Sequence, residues 1–190
     1  MSLSSSLSLP LALLLCSGCG SDGPTDSGIT SGGAVAACDA VPVSLQIGTG
    51  AEAFEALTEG GSVVVRHGDQ GGWHVDIAGD VSGVNQIVDL TLTVRSVEQD
   101  IVVASEVLPG TILSAYSNRD CTAVFFGQRA FVDDVDPPAG MDYQQFVCSL
   151  IGGDLQLTVQ IDDPTADTTI TEVMTVRAQP DGPDISACNL

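Results

Sequence analysis

The chain has 190 residues, and its 25 acidic side chains face only five basic ones, all arginine, for a net charge of −20. A surface this negative repels phosphate backbones, so nucleic acid is not expected as a partner. The absence of lysine removes the usual Schiff-base nucleophile and phosphate clamp.

In chain order, the first charged side chain is Asp22, preceded by an apolar core from Leu7 to Leu15 and then Cys16-Ser17-Gly18-Cys19. An apolar run about half the roughly 20 residues of a spanning helix, with Pro10 inside it, has the form of a secretion signal over residues 1–18. Only the terminal amine supplies positive charge ahead of it. Ser17 and Gly18 before Cys19 resemble the bacterial lipobox, with Cys16 standing where leucine is usual. The resemblance implies cleavage before Cys19, acylation of that cysteine and attachment to a membrane through the lipid. Gly20 in the next position then favours the outer membrane; an ordinary signal peptide cut nearby would instead release the protein. Residues 19–37, rich in Gly, Ser, Asp and Thr, lack the apolar surface needed to order themselves and read as a flexible linker.

Residues 38–190 are long enough for one domain with its own core. From Val41 onward apolar residues recur at every second position in short runs, broken by turn residues, and no stretch keeps a helical period. Leu155, Leu157, Val159 and Ile161 alternate with Gln156, Thr158, Gln160 and Asp162; Leu90, Leu92 and Val94 repeat the pattern, and Trp73, Val75 and Ile77 oppose His74, Asp76 and Ala78. Further strands are expected at 43–47, 62–67, 101–107, 111–116, 122–126, 145–150 and 169–177. Turns fall at Glu59-Gly60-Gly61, at Asp69 to Gly72 and at Pro109-Gly110, and residues 51–57 could form one helical turn. The fold class this predicts is all-β: an antiparallel β-sandwich of the immunoglobulin or fibronectin kind with about nine to ten strands.

Cys38, Cys121, Cys148 and Cys188 remain after the leader, an even number suited to an oxidising compartment. Of the three possible pairings the reading prefers Cys38 with Cys188, clasping the domain ends, and Cys121 with Cys148, bridging neighbouring strands.

His67 ends one expected strand and His74 begins the next, with Asp69 and Asp76 nearby. Two imidazoles and a carboxylate could hold Zn²⁺ or Cu²⁺, although the spacing is not an established ligand motif, and a polar strand edge with local hydrogen bonds accounts for the same residues. Asp133, Asp134 and Asp136 form one acidic loop and Asp162, Asp163 and Asp167 another. Either could offer oxygens to Ca²⁺, but neither has the EF-hand spacing, and solvated loops are the simpler reading. No resident cofactor is implied. There is no G-x-S-x-G elbow and no phosphate-cradling glycine loop, so catalysis is not expected.

Phe54, Leu57, Gly60, the run His67-Gly68-Asp69-Gln70-Gly71-Gly72 and the following Trp73-His74-Val75 resemble a segment of uncharacterised predicted lipoproteins of myxobacteria and related bacteria. The resemblance covers about 30 residues closely. It implies an envelope lipoprotein without assigned activity and carries over no functional residue. Together these features predict a non-catalytic envelope module with a protein or glycan partner, or alternatively a metal-binding envelope protein.

Overall fold

The structure is a computed structural model describing residues 38–68, 71–132 and 135–189. The leader 1–18, Cys19 and the linker 19–37 lie outside the described residues, as do Asp69, Asp133 and Asp134.

Among the described residues the chain is predominantly β, and its strands join in one mixed ten-stranded sheet curled as a half-barrel. In chain order these are β1 (Ser44–Thr49), β2 (Glu55–Ala56), β3 (Ser62–His67), β4 (Trp73–Ser82), β5 (Ile87–Ser96), β6 (Ile101–Ile112), β7 (Ser114–Ser117), β8 (Thr122–Phe131), β9 (Asp154–Asp163) and β10 (Thr168–Pro180). Helix α1 (Tyr143–Leu150) lies between β8 and β9, and α2 (Gly182–Ala187) follows β10.

Strict alternation builds the core. In β5 and β9 every second residue is buried, and their register sets Leu90 beside Ile161, Leu92 beside Val159 and Val94 beside Leu157. Each such side chain contributes roughly 1.5–3 kcal/mol when fully buried. The path through the sheet is β2-β1-β4-β3-β10-β9-β5-β6, with β8 pairing β4 and β7.

Strand β4 is the pivot. Along it β8 pairs from His74 to Ser82, while β1 pairs only with Ala78 to Ser82 and β3 only with Trp73 to Val75. A strand has two edges, so β1 and β3 share one of them and part near Asp76. Opposite that point β8 carries a bulge between the partners of Ile77 and Gly79, which bends the strand and increases its twist. Gly127 supplies the bulge's positive φ of 66°. A Cβ there would stand 2.6 Å from the Ala51 carbonyl oxygen.

Several expectations are corrected. The sheet is one continuous ladder rather than two separate antiparallel sheets, and β10 runs parallel to β3, Arg177 to Pro180 beside Ser62 to Val65. The predicted strand at 145–150 is α1, which buries Phe146, Val147 and Leu150 on one face. Its start is fixed by a reciprocal cap: the Gln145 amide donates to Asp142 Oδ1 at 2.7 Å and the Asp142 amide to Gln145 Oε1 at 3.2 Å. Pro109-Gly110 is not a turn, because β6 runs through it with Gly110 at a positive φ and its amide donating to Asp89 Oδ1 at 2.7 Å. Residues 51–57 form bends and β2 rather than a helical turn.

The disulfides are Cys38–Cys121 and Cys148–Cys188, with Cα separations of 5.6 Å and 5.3 Å. The preferred pairing of the two ends is thus corrected. Cys38 meets the start of β8, whereas Cys188, at the C-cap of α2, meets α1.

Candidate functional site

Cross-strand partners put their side chains on the same face of a sheet. Arg66 pairs with His74, His74 with Phe131, and Asp76 with Arg129. Hence Arg66 of β3, His74 and Asp76 of β4, and Arg129 and Phe131 of β8 share one face. Val65 and Val75 pair on the opposite face, within the core.

The wall over this face is the connection between β1 and β2. Thr49 Oγ1 donates to the Asp76 carbonyl at 2.8 Å, and the Gly127 amide to the Gly50 carbonyl at 2.9 Å. Together they hold residues 51–55 against the bulge. The result is an open cleft of about 870 Å³, with Glu52, Glu55 and Asp181 among its lining and Arg66, His74, Asp76, Arg129 and Phe131 across its floor.

Asp76 is the unusual group. Only 2% of it is exposed. Arg66 Nε stands 2.8 Å from Oδ2, an ion-pair distance, while Arg129 Nε and His74 Nε2 lie 3.9 Å and 3.6 Å from Oδ1. None of these approaches has hydrogen-bond geometry, so neither carboxylate oxygen accepts a hydrogen bond among the described residues. A buried carboxylate placed this way is costly, and its retention asks for a reason. Its effect is visible in the arginines. Both turn Nε toward Asp76 while their side chains stay about half exposed, at 47% and 55%, and their terminal nitrogens have no partner among the described residues. The tilted contact between His74 and Phe131, at 5.8 Å between ring centres, completes the floor.

The structure brings His74 and Asp76 together, while His67, which also borders the cleft, turns its ring away from them. His67 pairs with Trp73, one residue out of step with His74, so its ring lies on the other face. It stacks on Trp73 at 4.7 Å, with Nδ1 3.7 Å from Asp184 Oδ1. Of the set His67, His74, Asp69 and Asp76 expected for Zn²⁺ or Cu²⁺, His74 and Asp76 meet at the cleft floor while the His67 ring turns to Trp73 and Asp184; Asp69 lies outside the described residues. Among the described residues no group of three or more His, Cys, Asp or Glu side chains is placed to hold a metal ion.

The acidic loops take different roles. Asp162 and Asp163 are neighbours in β9 and point to opposite faces. Asp162 accepts from Thr169 Oγ1 at 2.6 Å and Gln160 Nε2 at 2.8 Å, which hold its carboxyl below the usual value. Asp163, almost fully buried, accepts the amides of Asn85, Thr165 and Ala166 at 2.7, 2.9 and 3.1 Å, and the Asn85 side chain at 2.9 Å. Burial works to raise its carboxyl, and the hydrogen bonds outweigh burial, leaving it below the usual range. It ties the turn before β5 to the β9–β10 hairpin. Asp136 is exposed.

Arg66, Arg129 and Phe131 form no motif that marks them in the sequence. A compositional signal is present, since two of five arginines in a very acidic chain fall one residue before His67 and two before Phe131. Their meeting depends on the register across β3, β4 and β8, which local sequence does not encode.

No family model and no curated protein matches the chain. Among solved structures it is similar to the CooA pilin subunit from enterotoxigenic Escherichia coli, with 10% identity and a TM-score of 0.30 over 72% of this chain and 99% of that one. A likeness at that level carries no argument about architecture or activity.

Proposed function

We propose that the chain is an exported, lipid-anchored, non-catalytic envelope module that binds a partner through the cleft over β3, β4 and β8. One observation carries the binding reading: a buried carboxylate, Asp76, is used to hold two half-exposed arginines at the floor of an open cleft. Both its oxygens lack exposed surface, so it is poorly placed to exchange a proton with a substrate, and its role is to orient. Two disulfides support residence in an oxidising compartment. The lipobox-like residues before Cys19 and the segment resembling uncharacterised lipoproteins support the anchor.

The anchor is tested by expressing the full chain in a Gram-negative host fed labelled palmitate. The proposal expects label on the wild-type chain in the membrane fraction, and an unlabelled chain when Cys19→Ser is introduced. Equal partitioning of both forms without label would remove the anchor from the account.

A further inference from the structure

We infer that the cleft recognises a neutral, hydroxyl-rich ligand, a saccharide, with Arg66 and Arg129 as the donors that read it. This deepens the proposed binding role and rests on it.

Charge sets the first constraint. Among the described residues the charged lining comprises Arg66 and Arg129 against Glu52, Glu55, Asp76 and Asp181, two formal positive charges against four negative. Beyond about 8 Å, exposed charges are screened at physiological salt, so these nearby groups dominate. An anion meets a net negative surround, and a simple cation meets two guanidiniums at the floor. A ligand without net charge avoids both costs.

Hydrogen-bonding capacity sets the second. The terminal nitrogens of Arg66 and Arg129 are donors only, and the exposed carboxylates of Glu52 and Glu55 are acceptors only. A hydroxyl does both, so neighbouring hydroxyls on one ring can accept from the floor and donate to the wall. Phe131, 38% exposed within the same lining, offers an apolar surface for the C–H face of such a ring.

Rigidity sets the third. Asp76 is a positioning residue that holds both Nε atoms, so the arginines lose less freedom when a ligand arrives. Burying its charge without hydrogen bonds is the cost of that order.

The test is amide NMR of the ¹⁵N-labelled full chain in detergent, titrated with chitotriose, maltotriose and cellotriose, and separately with trigalacturonic acid, at about 50 and 500 mM salt. A neutral trisaccharide should shift Glu55, His74, Arg129 and Phe131 amides with little salt dependence, and Arg129→Gln should weaken it about tenfold, the loss of about one hydrogen bond from a charged donor. Arg129→Gln is suited to this because its side chain is half exposed and 3.9 Å from Asp76. Stronger, salt-sensitive binding of trigalacturonic acid would overturn the neutral class while leaving a binding cleft. Unchanged cleft amides with all four sugars would overturn the saccharide assignment.

Discussion

The indole N–H of Trp73 lies 3.2 and 3.1 Å from the two carboxylate oxygens of Asp184, joining the first residue of β4 to the C-terminal helix. Asp184 is almost fully buried, and His67, stacked on Trp73, approaches it from the side. The contact pins α2 over the core end of the hairpin whose other face forms the cleft floor. Asp184→Ala removes both carboxylate acceptors of the indole N–H and should destabilise the fold by about 2 kcal/mol. Urea unfolding checks this, and the emission of the chain's only tryptophan should shift to the red in the folded variant.

Packing at the bulge gives a second expectation. A Cβ on Gly79 would stand 2.3 Å from Phe125 Cε1 and 2.5 Å from Cζ. Phe125 is itself buried against the core and cannot swing into water. Gly79→Ala should therefore lower stability by about 1–3 kcal/mol, read as a lower thermal midpoint.

Acid should unfold the protein partly through Asp163. Its folded carboxyl is held below the usual carboxylate value, so the stability it contributes is fully present above the unfolded value near about 3.9 and is lost as pH falls through the lower folded value. Urea midpoints at pH 7 and pH 3 should differ in the wild type, and Asp163→Asn should narrow that difference by lowering the pH 7 midpoint.

How much of this was legible is clearest in the strands. Leu155 to Asp162 and Leu90 to Arg95 declare period two, and β5 and β9 form there with every second residue buried. Ser62–His67 agrees with the structure at both ends. Helix α1 is written in the sequence in two ways that compete with a strand. Asp142 and Gln145 have the spacing of a reciprocal cap, and Phe146, Val147 and Leu150 lie on one helical face, yet Gln145 to Leu150 also passes as a short strand. Separation of His67 from His74 turns on parity. Five residues, Gly68 to Gly72, connect the strands and set His67 beside Trp73, so His74 falls one step out and points the other way. Local composition cannot supply that register, nor the meeting of Cys38 with Cys121 across 83 positions.

The role assigned to Asp76 predicts a small energetic effect and a large dynamic one. Arg66 and Arg129 are half exposed and can return to water once the carboxylate is neutralised. Asp76→Asn should thus change stability by about 1 kcal/mol or less, well short of the 3–5 kcal/mol typical of leaving a buried charge unpaired. Loss of order in the arginines is the accompanying result, checked by faster hydrogen exchange at both Nε–H groups.

The proposed residence in the envelope requires two specific crosslinks in the exported chain. Peptide mapping of the full chain recovered from the cell envelope, digested without reductant, measures this directly. The predicted fragments join Cys38 to Cys121 and Cys148 to Cys188; free thiols at these positions, or a fragment joining Cys38 to Cys188, would contradict it.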